Sequence, residues 1–418
     1  MTVRLTSVRG VLVVAVWLAL AATRIGAQSP PASSPTPPDQ TFDVADLIRR
    51  RRHLDEPPLP DPAASPGVMR AFSPVIGVKP SAGVMFGAAG NLAFYRGDTA
   101  TTRISSGVGS MTISTKSQVS LTARLTMFGR DDRWRFESDD RFQWTSQETF
   151  GLGLPTPEAD GELVEFNFFR VHQSVYRRLR RYLFAGAGLH FDRHTDVSAG
   201  KDGEAAWSDS PYVTYSEANG LSLDTQTSAG ASAEVIWDSR DNFINAERGW
   251  LARINYRWLA DGFLGGDSRW EKLNLDGRAY LPLSRRARHR LAAWVFADLV
   301  TTGVAPYFDL PSTGSDTYGR SGRGYAEGHF RGERLAFVEL EYRGPLLTNG
   351  LLGMVAFVNA TTVADPQSGQ QLFDHFAPGA GAGLRLLINK RSRTNLAFDI
   401  GFGEKGNKGV YLSVQEAF

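Results

Sequence analysis

The sequence predicts an all-β protein, a transmembrane antiparallel β-barrel of sixteen strands behind a short N-terminal periplasmic arm. Three observations carry that expectation. Beyond the N-terminus no stretch is apolar enough to cross a bilayer as a helix. From residue 70 to 418 the chain is a series of runs that alternate apolar and polar residues, separated by clusters of Gly, Asp, Asn and Pro. The composition, with 43 glycines, 11% aromatics and no cysteine among 418 residues, suits many strands and turns. Without cysteine there is no disulfide framework and no thiolate metal site. A closed barrel needs neither, because its own ladder satisfies every backbone N–H and C=O.

Residues 1–27 read as a signal peptide. Arg4 and Arg9 precede the apolar run Val11 to Ala22, and Ile25-Gly26-Ala27 supplies a cleavage site. Removing Arg4, Arg9 and Arg24 takes the formal charge from +2 to −1, so the mature chain gives no global argument for a nucleic-acid partner.

Residues 28–69 form a proline-rich linker, with Pro30, Pro31, Pro35, Pro37 and Pro38 at its start and Pro57, Pro58, Pro60, Pro62 and Pro66 at its end. Such composition builds no core and predicts disorder. Between the proline clusters, Asp43 and Asp46 open a stretch in which Val44, Leu47 and Ile48 fall at helical spacing, followed by Arg49, Arg50, Arg51 and Arg52. Two readings stay open for this short basic helix. It is a periplasmic plug or a patch against anionic lipid heads, or it is a solvated helix between two unstructured segments.

The barrel strands are expected at 72–80, 82–95, 101–114, 117–129, 133–144, 163–178, 181–194, 226–238, 249–260, 269–283, 289–302, 330–344, 351–364, 377–390, 394–403 and 408–418. The first two also read as one strand behind a linker. An even number suits a single-chain bacterial barrel. In the final run Val410, Leu412, Val414 and Phe418 share one face against Ser413, Gln415 and Ala417. Leu396, Phe398, Ile400 and Phe402 oppose Asn395, Asp399, Gly401 and Gly403, and Ile254, Tyr256 and Trp258 oppose Arg253, Asn255 and Arg257. A soluble sandwich alternates too, but its strands cluster near ~5–6 residues, whereas tilted membrane strands need about 9–11. Trp134, Tyr182, Trp250, Tyr280 and Tyr342 fall near run ends, where aromatic girdles sit. The long connections 145–162, 195–225 and 303–329 all follow odd-numbered strands and so lie on one side of the membrane.

Four segments resemble the BamA/TamA-type bacterial surface-antigen family, barrel domain only. At 234–257 the chain is similar to that family's D-x-R-D-N … P-x-x-G hairpin, a tight periplasmic turn: Asp238, Arg240, Asp241, Asn242 and Gly249 match, and Ala246 stands near the place of the usual proline. Asp and Asn bond their own backbone in such turns, and Gly249 permits re-entry into the next strand. Gly322-Arg323-Gly324-Tyr325, after Gly314 and Gly319, resembles the family's R-G-F/Y loop motif. The resemblance implies that this loop folds into the lumen and that Arg323 pairs with an acidic group on the wall. The family's F-x-D-x-G partner is here Phe357-Val358-Asn359-Ala360-Thr361, with Asn359 in place of the aspartate. Asparagine accepts a hydrogen bond but forms no charge-assisted bidentate pair. Glu339, Glu341 and Asp399, on expected lumenal faces, are the candidates to substitute, and Arg323 buried without any of them would be costly. Gly381 to Arg385 and Asp399 to Gly403 resemble the closing strands, and the terminal Phe418 resembles the C-terminal aromatic that marks outer-membrane barrels for assembly; as residues alone it is an apolar strand end. The resemblance covers residues 70–418 and leaves too little chain before them for the family's periplasmic polypeptide-transport-associated domains.

No G-x-S-x-G and no H-E-x-x-H occurs. His190 and His194 have the spacing of a helical zinc pair, but on a strand they stand about 13 Å apart, and Asp192, Arg193 and Asp196 beside them read as a lumenal or rim charge cluster. The expectation is therefore no enzyme, no cofactor and no metal. The resemblance implies insertion or translocation of protein or lipid at the outer membrane, with a seam between the first and last strands that Gly406 and Gly409 weaken. The alternatives are a passive pore or structural barrel, and a lipid hydrolase. Partners implied are outer-membrane lipid, unfolded outer-membrane proteins or a periplasmic helper, and a second copy of the chain.

Overall fold

The computed structural model describes residues 41–52, 67–79, 82–153, 161–200, 204–284, 288–365 and 369–418. The expected signal peptide and most of the proline-rich linker lie outside the described residues. Among the described residues one helix, α1 (Val44–Arg51), precedes sixteen strands: β1 (Met69–Lys79), β2 (Gly83–Phe94), β3 (Ser105–Ser114), β4 (Val119–Phe128), β5 (Trp134–Thr149), β6 (Glu162–Arg180), β7 (Leu183–Ala199), β8 (Gln226–Asp238), β9 (Gly249–Leu259), β10 (Trp270–Pro282), β11 (Arg290–Gly303), β12 (Arg334–Pro345), β13 (Leu352–Ala364), β14 (Ala377–Asn389), β15 (Thr394–Gly403) and β16 (Lys408–Val414). A second helix, α2 (Pro211–Ala218), lies between β7 and β8. The first two expected strands are distinct and pair from Met69↔Ala93 to Lys79↔Gly83.

Each strand pairs with its sequence neighbours in one sixteen-stranded sheet. The alternation sorts side chains as a membrane barrel requires. On β15, Phe398, Ile400 and Phe402 are exposed on the outer face, while Ala397, Asp399 and Gly401 are buried inside. Greasy residues outside and charged residues inside invert the arrangement of a soluble barrel.

β16 comes to lie beside β1 and β2. Among the described residues no ladder joins β1 to β16. Pro74 within β1 has no N–H to donate, which suits an edge strand. Inside the barrel, side chains bridge this seam: the Gln415 amide donates to Ser106 Oγ (3.0 Å) and the Thr394 hydroxyl to Asn91 Oδ1 (3.1 Å).

The longest connections, β7–β8 and β11–β12, lie at one end, and α1 sits at the other, the periplasmic one. It is docked there and not free in solvent. Asp43 and Asp46 form a capping box, and Asp43 also accepts from the Lys390 backbone N–H (2.9 Å) while Asp46 pairs with Lys390 Nζ (2.8 Å). Partial burial opposes ionisation of Asp46. The hydrogen bonds from Lys390 and the Asp43 backbone, with the charges of Lys390 and Arg49, outweigh it and hold that carboxyl below its ordinary value.

Three departures from the sequence expectation have physical causes. β5, β6 and β7 run to 16, 19 and 17 residues, beyond the expected 133–144, 163–178 and 181–194. At ~3.3 Å per residue the longest of them exceeds what a ~30 Å hydrocarbon layer needs even when tilted, so it continues into water. There the outward positions need not be apolar and alternation fades, as in Ser146-Gln147-Glu148. β12 begins at Arg334 and not at 330, because Phe330 and Arg331 are buried inside with the preceding loop.

β16 stops at Val414 and not at 418. Gln415 takes a positive φ of 87°, which turns the last residues inward. Phe418 is therefore 6% exposed, stacked on Trp294 with ring centroids 5.2 Å apart, and not on the lipid face with Val410. Phe418→Ala should destabilise the barrel by about 3–5 kcal/mol, the usual cost of deleting a buried aromatic. Val410→Ala on the outer face should cost far less. Denaturant midpoints in detergent or lipid check the contrast, and equal midpoints would place Phe418 outside.

Candidate functional site in the closed lumen

Register builds the inner wall on which the residue 304–333 loop rests. Glu339 on β12 stands opposite Asn359 on β13, which stands opposite Gly379 on β14, itself opposite Gly403 on β15. The next row inward runs Glu341, Phe357, Gly381 and Gly401, and Asp399 faces both Gly383 and Tyr411. Half of this wall carries acid and half carries glycine. The glycine half is where the loop backbone touches: a Cβ on Gly401 would lie 2.7 Å from Gly324 N, and one on Gly379 would lie 2.7 Å from Arg323 O. Gly324 itself has φ 113° and abuts Phe402 O, a conformation and a fit that only glycine supplies.

The acid half receives Arg323, whose residue exposure is 0%. Its Nε donates to Glu339 Oε2 (3.1 Å), Nη1 to Asp399 Oδ2 (2.9 Å), and Nη2 to Glu339 Oε1 (2.5 Å) and to Glu341 Oε2. The guanidinium also lies over the Phe357 ring, 3.7 Å from its centroid. Asn359 does not accept from the guanidinium. Its Nδ2 donates to the Arg323 carbonyl (2.9 Å) and to Glu339 Oε2 (3.2 Å), so it holds the loop backbone and one of the acids. Tyr325, 4% exposed, donates to the Pro378 carbonyl (2.6 Å), and Tyr411 Oη accepts from Gly324 N (3.0 Å) and donates to Tyr325 O (3.1 Å).

The cluster extends through residues to which the sequence assigned no part in it. Arg343 donates to Glu341 and to the Phe418 backbone oxygen (3.1 Å), and Arg385 pairs with Asp399 (2.5 Å) and Glu416 (2.6 Å). Parity offered a signal for Arg343, which follows Glu339 and Glu341 on the same face. Nothing pointed to Glu416, which alternation placed on the lipid side until the bend at Gln415 reversed it. Arg323, Arg343 and Arg385 thus pair with Glu339, Glu341, Asp399 and Glu416, and Arg323 has three carboxylate partners without an acid at position 359.

Loop and hairpin residues pack across the lumen at both ends. On the outer side, Tyr212, Val213 and Tyr215 of α2 pack with Ala305, Tyr307 and Leu310 of the long loop and with Phe166, Phe168 and Trp270 of the wall. Tyr215 Oη donates to the Ala305 carbonyl (2.9 Å), and the buried Arg331 donates to the Tyr307 carbonyl (2.8 Å). On the periplasmic side, residues 239–248 between β8 and β9 fold across the mouth and are no tight turn. Asp238 anchors their base, paired with Arg240 (2.9 Å) and Arg135 (3.1 Å) and approached by Arg103 (3.6 Å). Asp241 accepts from the N–H groups of Glu247 and Arg248 and pairs with Arg393 across the mouth (2.8 Å), while Asn242 accepts from Ile244 and Asn245. Ile244 is buried against Met69, Ala93 and Ile104, and Ala246 packs in the cluster with Tyr280 and Phe418. Gly249 has φ 98° and would meet Ser239 O at 2.4 Å if it carried a Cβ. Two cavities of about 130 Å³ and 110 Å³ lie inside, the first lined by Glu137, Asp139, Arg253 and Arg278 and the second by Arg170, Asp192, His194 and Arg331.

His190, Asp192 and His194 point into the lumen, whereas Arg193 and Asp196 are exposed, so the expected charge cluster is divided between the two faces. Asp192 pairs with Arg170 (2.5 Å) and His172 (2.7 Å). His190 Nε2 lies 2.8 Å from Ser232 Oγ, but that hydroxyl is also bound to Glu234 and both side chains are buried in the lumen, away from the lipid face. Among the described residues no group of His, Asp and Glu is arranged to hold a metal ion.

A family model described as the Omp85 superfamily domain matches residues 87–415. The fold is similar to BamA from Haemophilus ducreyi lacking POTRA domains 1-3 (TM-score 0.51, 13% identity, 83% of this chain and 69% of that chain). It is also similar to CdiB from Escherichia coli (0.54, 12%, 86% and 63%) and CdiB from Acinetobacter baumannii (0.52, 11%, 83% and 59%). The chain spans less than two thirds of either CdiB chain. No curated protein matches by sequence.

Removing one partner of a buried, hydrogen-bonded charge cluster costs about 3–5 kcal/mol, because the others stay desolvated without compensation. Arg323→Ala should lower barrel stability by that order. Arg323→Lys should not restore it, since an ammonium cannot span three carboxylates in a fork. Denaturant unfolding of the folded band on semi-native gels reads both variants; wild-type stability in Arg323→Ala would mean the contacts are not made.

Proposed function

The chain belongs to the Omp85 superfamily, and from that premise we propose that it inserts or translocates polypeptide or lipid at the bacterial outer membrane through a barrel whose lumen is gated by the loop carrying Arg323. At family level it is an outer-membrane barrel of the insertion and transport type. The observation that carries the finer reading is the attachment of that loop by Arg323 to Glu339, Glu341 and Asp399. A further support is the seam, where β1 and β16 lie side by side without a ladder and offer a lateral way out. Opening there is the step at which a client strand or acyl chain would meet lipid. Outer-membrane lipid is then an obligatory partner, and the clients are unfolded outer-membrane proteins delivered with or without a helper subunit.

The long loop packed against the inner wall and the β8–β9 hairpin folded across the periplasmic mouth weigh against a passive diffusion pore. A lipid hydrolase would need its serine and histidine reachable from the lipid face, and Ser232 and His190 are buried inside. The proposed role is a non-enzymatic one.

Planar-bilayer recording separates gate from pore. The wild type should show no steady large conductance, and deletion of residues 304–329 should open one; a large steady wild-type current would contradict the gate. The seam is tested in cells by a disulfide between β1 and residues 410–414. The locked protein should fail to support normal outer-membrane protein and lipid content, and unchanged content would reject lateral opening.

A further inference from the structure

Among the described residues, the contacts that hold α1 at the rim come from its N-terminal side. The Phe42 N–H donates to the Asn349 carbonyl in the β12–β13 turn (3.0 Å), Asp43 and Asp46 bind Lys390 in the β14–β15 turn, and Arg288 of the β10–β11 connection donates to Thr41. No residue within the helix is buried. Leu47 and Ile48 are 49% and 47% exposed, and Arg50, Arg51 and Arg52 are exposed with them. An exposed leucine–isoleucine pair with an arginine run is unexplained by docking to the barrel, since the contacts that dock α1 use neither.

The surroundings say what covers this face. The turns that hold α1 end the lipid-facing wall, and they carry exposed Leu346 and Leu347 (47% and 44%), with exposed Leu281 and Leu283 at the end of β10 (44% and 57%). The apolar pair of α1 therefore belongs to a helix docked on the turns that end the greasy band, where hydrocarbon gives way to headgroups. A short helix with apolar residues on one side and arginines beside them fits that layer, its apolar face in the acyl boundary and its guanidinium groups on phosphates. A free phosphate ion would account for the arginines but not for Leu47 and Ile48.

We propose that α1 is an interfacial membrane helix that binds anionic phospholipid headgroups of the periplasmic leaflet through Arg50, Arg51 and Arg52 and seats Leu47 and Ile48 among the acyl chains. It extends the barrel's lipid contact beside the β10–β15 wall. The proposal rests on the barrel spanning a bilayer, and its test keeps the two apart.

The chain has no cysteine, so Leu47→Cys and Val358→Cys each give one labelling site, the second on the outer face of β13, where Val358 is 56% exposed. The full mature protein, labelled with an environment-sensitive fluorophore, is reconstituted into phosphatidylcholine vesicles with and without phosphatidylglycerol. The label at 47 should shift to the blue and gain intensity several-fold when phosphatidylglycerol is present. High salt, or replacing Arg50, Arg51 and Arg52 by Gln, should reverse the gain, because the attraction is screened or removed. The label at 358 should report hydrocarbon in every case. Emission at 47 that ignores lipid charge and stays open to acrylamide, with 358 buried, would overturn the helix proposal alone. Water exposure at both sites would overturn the membrane reading as well.

Discussion

A guanidinium taken out of water must have its donors bound, and Arg323 sets the terms for the rest of the interior. Its partners Glu339, Glu341 and Asp399 come from β12 and β15, so the register of four strands must agree before the loop can seat. The dependence is mutual. Without the arginine these carboxylates would be buried like charges, and without the glycines of β14 and β15 the loop backbone could not come near enough to deliver it. Asn359 fits the same constraint. Where the family pattern has an acid, three other acids already reach Arg323, and an amide that donates to both loop and acid serves better than another charge.

This constraint also places the weak direction of the barrel. Loops and the β8–β9 hairpin block the axis at both ends, while the β1–β16 edge is held by side-chain contacts and not by a ladder. The loop carrying Arg323 is tied to the strand at that edge: Gly324 and Tyr325 bind Tyr411, and Arg320 donates to the Leu412 carbonyl (3.4 Å). Loop and seam share β16, so displacing one removes contacts that hold the other. The C-terminal residues join them, since Glu416 and Phe418 are bound by Arg385 and Arg343 of the same cluster.

The strand number and the two faces were legible because alternation is a local property, enforced at every outward position that meets lipid. It ceased to inform wherever that pressure stops. β5 to β7 outrun the bilayer, and beyond Gln415 a single left-handed residue inverts the parity of Glu416 and Phe418. The hairpin residues Asp238 to Gly249 could be recognised as turn-forming. That they fold back over the mouth depends on Ile244 finding Met69, Ala93 and Ile104, contacts between segments far apart in the chain. Parity likewise identified Glu339, Glu341 and Asp399 as inward-facing, but which of them Arg323 reaches is a matter of register and loop path, and neither is written in a strand's own sequence.

The most direct test of the central constraint is the accessibility of the loop itself. Ser321, two residues before Arg323, is 4% exposed, and its near-isosteric replacement by cysteine gives a single thiol in a chain that has none. On intact cells a membrane-impermeant maleimide should leave Ser321→Cys unmodified when Arg323 is present and should modify it when Arg323→Ala is added. Rapid modification with Arg323 intact would show that the loop is not held in the lumen, and the account built on its attachment would fail.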